Sequence, residues 1–343
     1  MLNRQYFRHF VQQYRFHVSP EVEFDYTWRI LIVLFAAGRG FGGAGMTGKF
    51  IRQITATLIA LCTAILVAAC DPGAENASEG GSDNTAVSAP APDAANGGSK
   101  AATAEREVVA EELAYAEVDE QLAKGHFVFP EDMVDSLPAV ILIHEWWGLD
   151  DRMRSIADRI AAQGFVVLAI DLYGGKTTNS PADARLLMLT VVEHPEYAAQ
   201  NIRQAYDWLL ESTGAKQVGV VGYGFGGGWS LNAAVDLPQK LDAAVIFYGQ
   251  VSDNEEVIAE IDAPLLGFFG REDKSIPANS VERFESVLEN LGKDYKIELY
   301  SDAKAGFASP GNRNFDKALA QKSWNEMLKF LHQHLTNAGD SAT

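Results

Sequence analysis

The chain has 343 residues, 47% of them apolar, with 28 basic and 46 acidic side chains and a net charge of −18. That length supplies one substantial core with a small appendage, and so acidic a body is repelled by nucleic acid and by anionic lipid surfaces. The two cysteines, Cys62 and Cys70, both precede the patterned region, which excludes a disulfide framework, a cysteine metal site and a cysteine nucleophile from the domain itself.

Residues 1–45 hold a short apolar piece from Ile30 to Ala37 and a glycine cluster from Gly38 to Gly45. They read as a non-native upstream extension, with translation starting at Met46, or as an unusually long basic lead. From Met46 the order is that of a secretory signal: Lys49 and Arg52, an uncharged run from Gln53 to Ala69, then Val67-Ala68-Ala69-Cys70. The apolar part is short for a bilayer span, which needs about 20 residues. Residues 46–69 resemble a bacterial lipoprotein signal, which implies cleavage before Cys70, a lipid on that cysteine, and residence on the outer face of the cytoplasmic membrane or on the periplasmic side. Without those first residues the charge falls to −22, from 21 basic and 43 acidic side chains, so a covalent lipid is the expected means of membrane attachment. Residues 70–105, rich in Ala, Gly, Ser, Asp and Pro, cannot repay their ordering entropy and read as a flexible tether.

Residues 106–338 form the expected domain. The acidic stretch from Arg106 to Ala123 reads as either an edge strand or a helix. An apolar run from Ala139 to His144, a helix from Asp150 to Gln163 and a second apolar run from Phe165 to Asp171 then give strand, helix, strand. Helices follow over Pro181 to Val192 and Tyr197 to Leu210. The strand from Gln217 to Gly222, a helix to about Ala234, strands from Ala243 to Tyr248 and Pro264 to Phe269, a helix from Ser280 to Leu291, a strand from Tyr295 to Tyr300 and a helix from Asn314 to Leu335 complete the pattern. Continuous apolar strands alternating with helices predict an α/β fold with a mostly parallel, doubly wound sheet covered on both faces.

Gly222-Tyr-Gly-Phe-Gly226 ends a strand and opens a helix. Glycines in this frame permit the sharp turn of a nucleophile elbow, with the central residue, Gly224, exposed above the sheet. A dinucleotide fingerprint using Gly222, Gly224 and Gly227 is disfavoured, because two strands precede it and neither Asp236 nor Asp242 ends an adjacent strand cleanly. No cofactor and no metal are expected. His144-Glu145 is not a zinc pair, since the position due a second histidine is Gly148.

Several segments together resemble the dienelactone hydrolase family of the α/β-hydrolase superfamily, over roughly Gly125 to Leu335. They are Val140-Ile-Leu-Ile-His-Glu-Trp-Trp-Gly-Leu149, Ala162-Gln-Gly-Phe-Val-Val-Leu-Ala-Ile-Asp-Leu-Tyr-Gly174, Val221-Gly-Tyr-Gly-Phe-Gly-Gly-Gly228, Phe247-Tyr-Gly249 and Gly270-Arg-Glu-Asp273. The resemblance implies ester-bond hydrolysis, and it places the family's cysteine on Gly224, its aspartate on Asp273, its histidine on Ala305 and its glutamate on Glu145. A glycine offers no attacking heteroatom, and an alanine offers no base between nucleophile and acid. The expected function is therefore non-hydrolytic binding of a small carboxylate or ester-like ligand, or of an envelope protein, in the retained cleft. Alternatives are noncovalent hydrolysis assisted by Glu145 or Asp273, and a structural envelope protein without ligand. His144, Trp146, Trp147, Tyr223 and Phe225 are the candidate pocket residues, while Asp273 reads equally as a turn cap. His332 and His334 are expected to be solvated, and His126 has no inferable partner.

Overall fold

The computed structural model describes residues 106–118 and 120–336. The expectations for residues 1–105, including the signal segment and Cys70, lie outside the described residues.

The acidic stretch left open between strand and helix is a strand. β1 (Val108–Val118) and β2 (Gln121–Pro130) make an antiparallel hairpin with a register shift between Ala114 and Ala116. β1 is one edge of the sheet, where Glu111 and Glu112 sit exposed; charge on an edge strand discourages pairing with another chain. Tyr115 fastens the hairpin to the body, donating from its hydroxyl to Asn201 Oδ1 at 2.6 Å. β2 was not anticipated, since its polar half carries Gln121, Lys124 and His126.

The remaining elements follow the predicted order: β3 (Ala139–Ile143), α1 (Asp151–Ala161), β4 (Val166–Ile170), α2 (Pro181–Glu193), α3 (Pro195–Thr213), β5 (Val218–Tyr223), α4 (Phe225–Asp236) and β6 (Ala243–Phe247). The short α5 (Glu255–Ile258), which sequence did not suggest, precedes β7 (Leu265–Gly270), α6 (Ala278–Asn290), β8 (Tyr295–Tyr300) and α7 (Lys317–Leu335). Local chemistry sets the helix ends. Asp150 caps α1 by accepting from the amides of Arg152 and Met153, and Gly214 ends α3 in the left-handed region. Met153, Ile156, Ala157, Ile160 and Ala161 form the buried stripe of α1.

The eight strands lie in the order β1-β2-β4-β3-β5-β6-β7-β8. β1, β2 and β4 pair antiparallel, and every pairing from β4 through β3 to β8 is parallel. Alternate strand residues feed two cores. Ile141, Ile143, Leu168 and Val220 face a layer containing α3, α4 and α6, while Val140, Leu142, Val167 and Val221 face α1 and α7.

The chain leaves β3 towards β4 on one side and returns to β5 on the other. That reversal opens a crevice at the carboxyl ends of β3 and β5, where open α/β sheets bind ligands. At the opposite end of the strands, Arg106, Pro138, Gly164, Gln217 and Thr336 surround a shallow cavity, and the amide of Arg106 donates to Ala162 O at 3.0 Å. Among the described residues no helix is long and apolar enough to cross a membrane.

Candidate functional site

β5 runs straight into α4 through Gly224, whose φ of 54° and ψ of −112° turn the chain sharply at the crevice. Close packing makes this turn possible. A Cβ on Gly222 would lie 2.0 Å from Gly226 O, and one on Gly226 would lie 2.2 Å from Ile143 O. Gly224 itself is different, because a Cβ there would meet only Tyr248 Cε2 at 3.8 Å and Glu145 Cγ at 3.9 Å, ordinary contacts. The turn thus has room for a side chain and carries none.

Not every amide of the turn is available to a ligand. Gly224 N–H donates to Phe247 O at 2.9 Å, and the amides of Gly227 and Gly228 donate to Gly224 O. The first two amides of α4, from Phe225 and Gly226, have no acceptor within the helix and mark its positive end. Among the described residues no other backbone group accepts from them, which makes them the candidate donors to an acyl or carboxylate oxygen.

Glu145 lies beside them. The chain turns after β3 so that Gly148 N–H closes on Glu145 O at 3.1 Å, and the Glu145 side chain enters the site with 5% of its surface exposed. Its two oxygens accept from the hydroxyls of Tyr248, at 3.0 Å, and Ser309, at 3.2 Å. Burial raises the Glu145 pKa, against the lowering effect of both hydroxyls and of the Arg152 charge. Tyr248 and Ser309 were not among the residues picked from sequence. Tyr248 was visible as part of Phe247-Tyr-Gly249 at a strand end, whereas nothing local marks Ser309. Tyr248 also has φ of 38°, a left-handed conformation that costs a bulky residue on the order of 1–3 kcal/mol and recurs at functional sites.

Asp273 stands just beyond β7. Its Oδ1 accepts from the amides of Ser275, at 2.7 Å, and Ile276, at 3.1 Å, so one oxygen does the work of a turn cap. Its Oδ2 is buried with no hydrogen-bond partner. Burial raises the Asp273 pKa against those two amide bonds. Ala305 is half-buried on the loop after β8, with its carbonyl accepting from Asn314 Nδ2 at 2.9 Å. The two loops are joined, since Glu272 N–H donates to Ala303 O at 3.0 Å.

The remaining candidates separate into core and rim. His144 is fully buried. Its Nδ1 donates to Glu145 O at 2.6 Å and its Nε2 accepts from the amide of Leu172 at 3.1 Å, which assigns a neutral ring. Tyr223 stacks on Phe247 with centroids 4.2 Å apart, and Phe225 packs near Tyr173 and Trp229. These three side chains were expected at the pocket but fill the core: Tyr223 and Phe225 stand on a strand and a helix buried on both sides, and His144, just past β3, is tied to Leu172. Trp146 and Trp147 are partly buried with ring centroids 4.5 Å apart, and Arg152 lies 5.9 Å over Trp147. His332 and His334, expected in solvent, pack against Phe165 and Phe330, and His126 bridges Glu112 and Asp158. Among the described residues no His, Cys, Asp and Glu cluster could hold a metal ion.

Two stability effects follow from this wiring. Substituting His144→Leu strands the Leu172 amide and should cost about 2–4 kcal/mol, read from the urea midpoint; a change below about 0.5 kcal/mol, the scale of surface substitutions, would contradict the structural role. The second concerns pH. Since the folded Asp273 has a raised pKa, the native state holds its proton after the unfolded chain has released it, and its contribution declines as pH rises through the folded pKa. Asp273→Asn should therefore gain stability over the parent at pH 8 and not at pH 4, again by urea unfolding; identical pH profiles would refute this.

Known proteins resemble the chain over this same region. The family model described as the dienelactone hydrolase family matches residues 124–335. "Protein usf" of Aquifex pyrophilus is 33% identical over 206 residues, covering 58% of this chain and 89% of that protein. A relative from Saccharolobus solfataricus, provisionally named a carboxymethylenebutenolidase, is 27% identical over 232 residues, covering 57% of this chain and 89% of its own. A solved dienelactone hydrolase-like promiscuous phosphotriesterase from metagenomic libraries superposes with a TM-score of 0.61 at 21% identity, covering 66% of this chain and 98% of that one. This last likeness is one of fold.

Proposed function

We propose that this chain, which belongs to the dienelactone hydrolase family, binds a small carboxylate or ester-like ligand in the crevice at Gly224 without hydrolysing it. The observation that carries this reading is the turn itself. The backbone at Gly224 adopts a sharp, left-handed geometry, and the space for a side chain is open to 3.8 Å, yet the residue supplies no nucleophile. A ligand carbonyl or carboxylate placed there faces the amides of Phe225 and Gly226. Glu145 stands beside that position, and burial raises its pKa, which lessens its repulsion of a bound carboxylate. In this reading Ala305 leaves Asp273 without a histidine to orient, and a lipid on Cys70 holds the protein at the membrane.

The test pairs binding with turnover. The purified protein should bind muconate-like diacids or lactones saturably by calorimetry while leaving a broad ester and lactone panel unhydrolysed. Turnover above a boiled control that disappears on substituting pocket residues would overturn the proposal. The raised pKa of Glu145 favours one competing reading, in which this carboxylate activates water directly. Under that mechanism Glu145→Gln would abolish turnover, whereas under the binding mechanism there is none to abolish.

A further inference from the structure

β8 is the second edge of the sheet, and among the described residues it pairs with β7 alone. The bonds between these two strands fix which backbone groups point outward. Leu265 N–H donates to Asp294 O, and Arg271 N–H donates to Tyr300 O. In this parallel ladder the even-numbered residues of β8 therefore bond inward, and the N–H and C=O groups of Tyr295, Ile297 and Leu299 point away from β7. The side chains sort by the same alternation. Tyr295, Ile297 and Leu299 are half-buried against the core layer that holds α6. Lys296 and Glu298 lie on the α7 face, where Lys296 meets Glu298 at 3.1 Å and Glu326 at 2.8 Å, and Glu298 meets Lys322 at 3.3 Å.

We propose that β8 is a pairing surface for a second copy of this chain, with the two edge strands antiparallel about a two-fold axis at Ile297. In that register Ile297 faces its own counterpart and Tyr295 faces Leu299, so every outward N–H and C=O of these three residues gains a partner. Lys296 and Glu298 then take the non-hydrogen-bonded positions, where opposed side chains come closest, and each Lys296 stands across from a Glu298. The charges also select this register. An axis on Lys296 or on Glu298 sets like charges directly opposite, which is destabilising, and an axis between two residues brings opposite faces of the strands together. The β1 edge has no such self-match: its charged residues are Glu111, Glu112 and Glu117, so two copies paired there set acid against acid. The net charge of −18 opposes the approach of two copies, which makes the dimer a weak one. The pairing does not depend on what the crevice at Gly224 binds.

Sedimentation equilibrium of the purified full chain tests this. A monomer–dimer equilibrium is expected with a dissociation constant on the order of 10 μM, in keeping with a small interface. Lys296→Glu and Glu298→Lys should each dimerise at least about tenfold more weakly, because either change sets like charges opposite at both ends of the ladder. An equal mixture of the two variants should recover the dimer, since each presents the charges that the other lacks; association through another part of the chain would show no such rescue. Ile297→Pro removes one outward N–H and no bond to β7, so it should also be monomeric, and it carries the test should a charge variant fail to fold. A parent protein that stays monomeric at about 100 μM would overturn the proposal. So would a charge variant that dimerises as the parent does, a mixture of folded variants that stays monomeric, or undiminished dimerisation by Ile297→Pro.

Discussion

Replacing Gly224→Cys and Ala305→His together should produce hydrolysis of p-nitrophenyl acetate that neither replacement produces alone. The first change is sterically open, since a new Cβ at 224 meets only Tyr248 and Glu145 at 3.8–3.9 Å. It carries a conformational cost, because φ of 54° disfavours any side chain, on the order of 1–3 kcal/mol. The thiol by itself lacks a base beside it. The histidine by itself, at the position that the family resemblance gives to the base, has nothing to deprotonate. Together they supply a nucleophile, a base and an orienting acid next to the free amides of Phe225 and Gly226, an arrangement in which the base alone is worth about 10²–10⁴ in rate. The double variant should therefore exceed the sum of the singles by about 10²-fold. Activity in Gly224→Cys equal to that of the pair would show that another group serves as base.

Gly222→Ala should be the most damaging small substitution in the domain. Its Cβ would stand 2.0 Å from the carbonyl oxygen of Gly226 and 2.5 Å from Ser230 Oγ. The first of these is backbone at the start of α4, so no rotamer change relieves it, and the helix must withdraw from the sheet. A loss of about 4 kcal/mol or more is expected, large against the 5–15 kcal/mol that holds a typical domain together. Gly174→Ala is the control. Nothing lies within 4 Å of that Cβ and only the positive φ of 63° is unfavourable, for a cost of about 1–2 kcal/mol. Urea midpoints for the two variants give the comparison, and a loss below about 1 kcal/mol for Gly222→Ala would mean that the turn adjusts more freely than close-packed backbone permits.

The parts of the fold legible from sequence are those with a strong local signal. The buried strands from β3 to β7 are unbroken apolar runs, and α1 has both a capping aspartate and a regular apolar stripe. The hairpin was the gap, because edge strands carry charge and so imitate surface helix or loop; Glu111, Glu112 and Glu117 hide the strand that Tyr115 and Val118 anchor. In the site, Gly224 and Glu145 were identifiable because each follows closely on the end of a strand. Their proximity, and the hydroxyls of Tyr248 and Ser309 that complete the group, depend on contacts spanning 103 and 164 residues. The roles expected of the His144, Tyr223 and Phe225 side chains failed for a related reason. A strand end points one side chain to the crevice and the next into the core, and which is which depends on where the loop begins.

Arg106 and Thr336, the first and last described residues, stand at the end of the sheet away from the crevice. Arg106 packs beside Ala162 at the amino end of the parallel strands, as does Thr336, while Gly224 stands at the carboxyl end. Five-residue strands separate the two ends by roughly 17 Å. The described chain therefore enters and leaves the domain behind the sheet, and neither point of attachment lies at the mouth at Gly224. A carrier fused at position 106 or 336 would be joined about one strand length from the crevice.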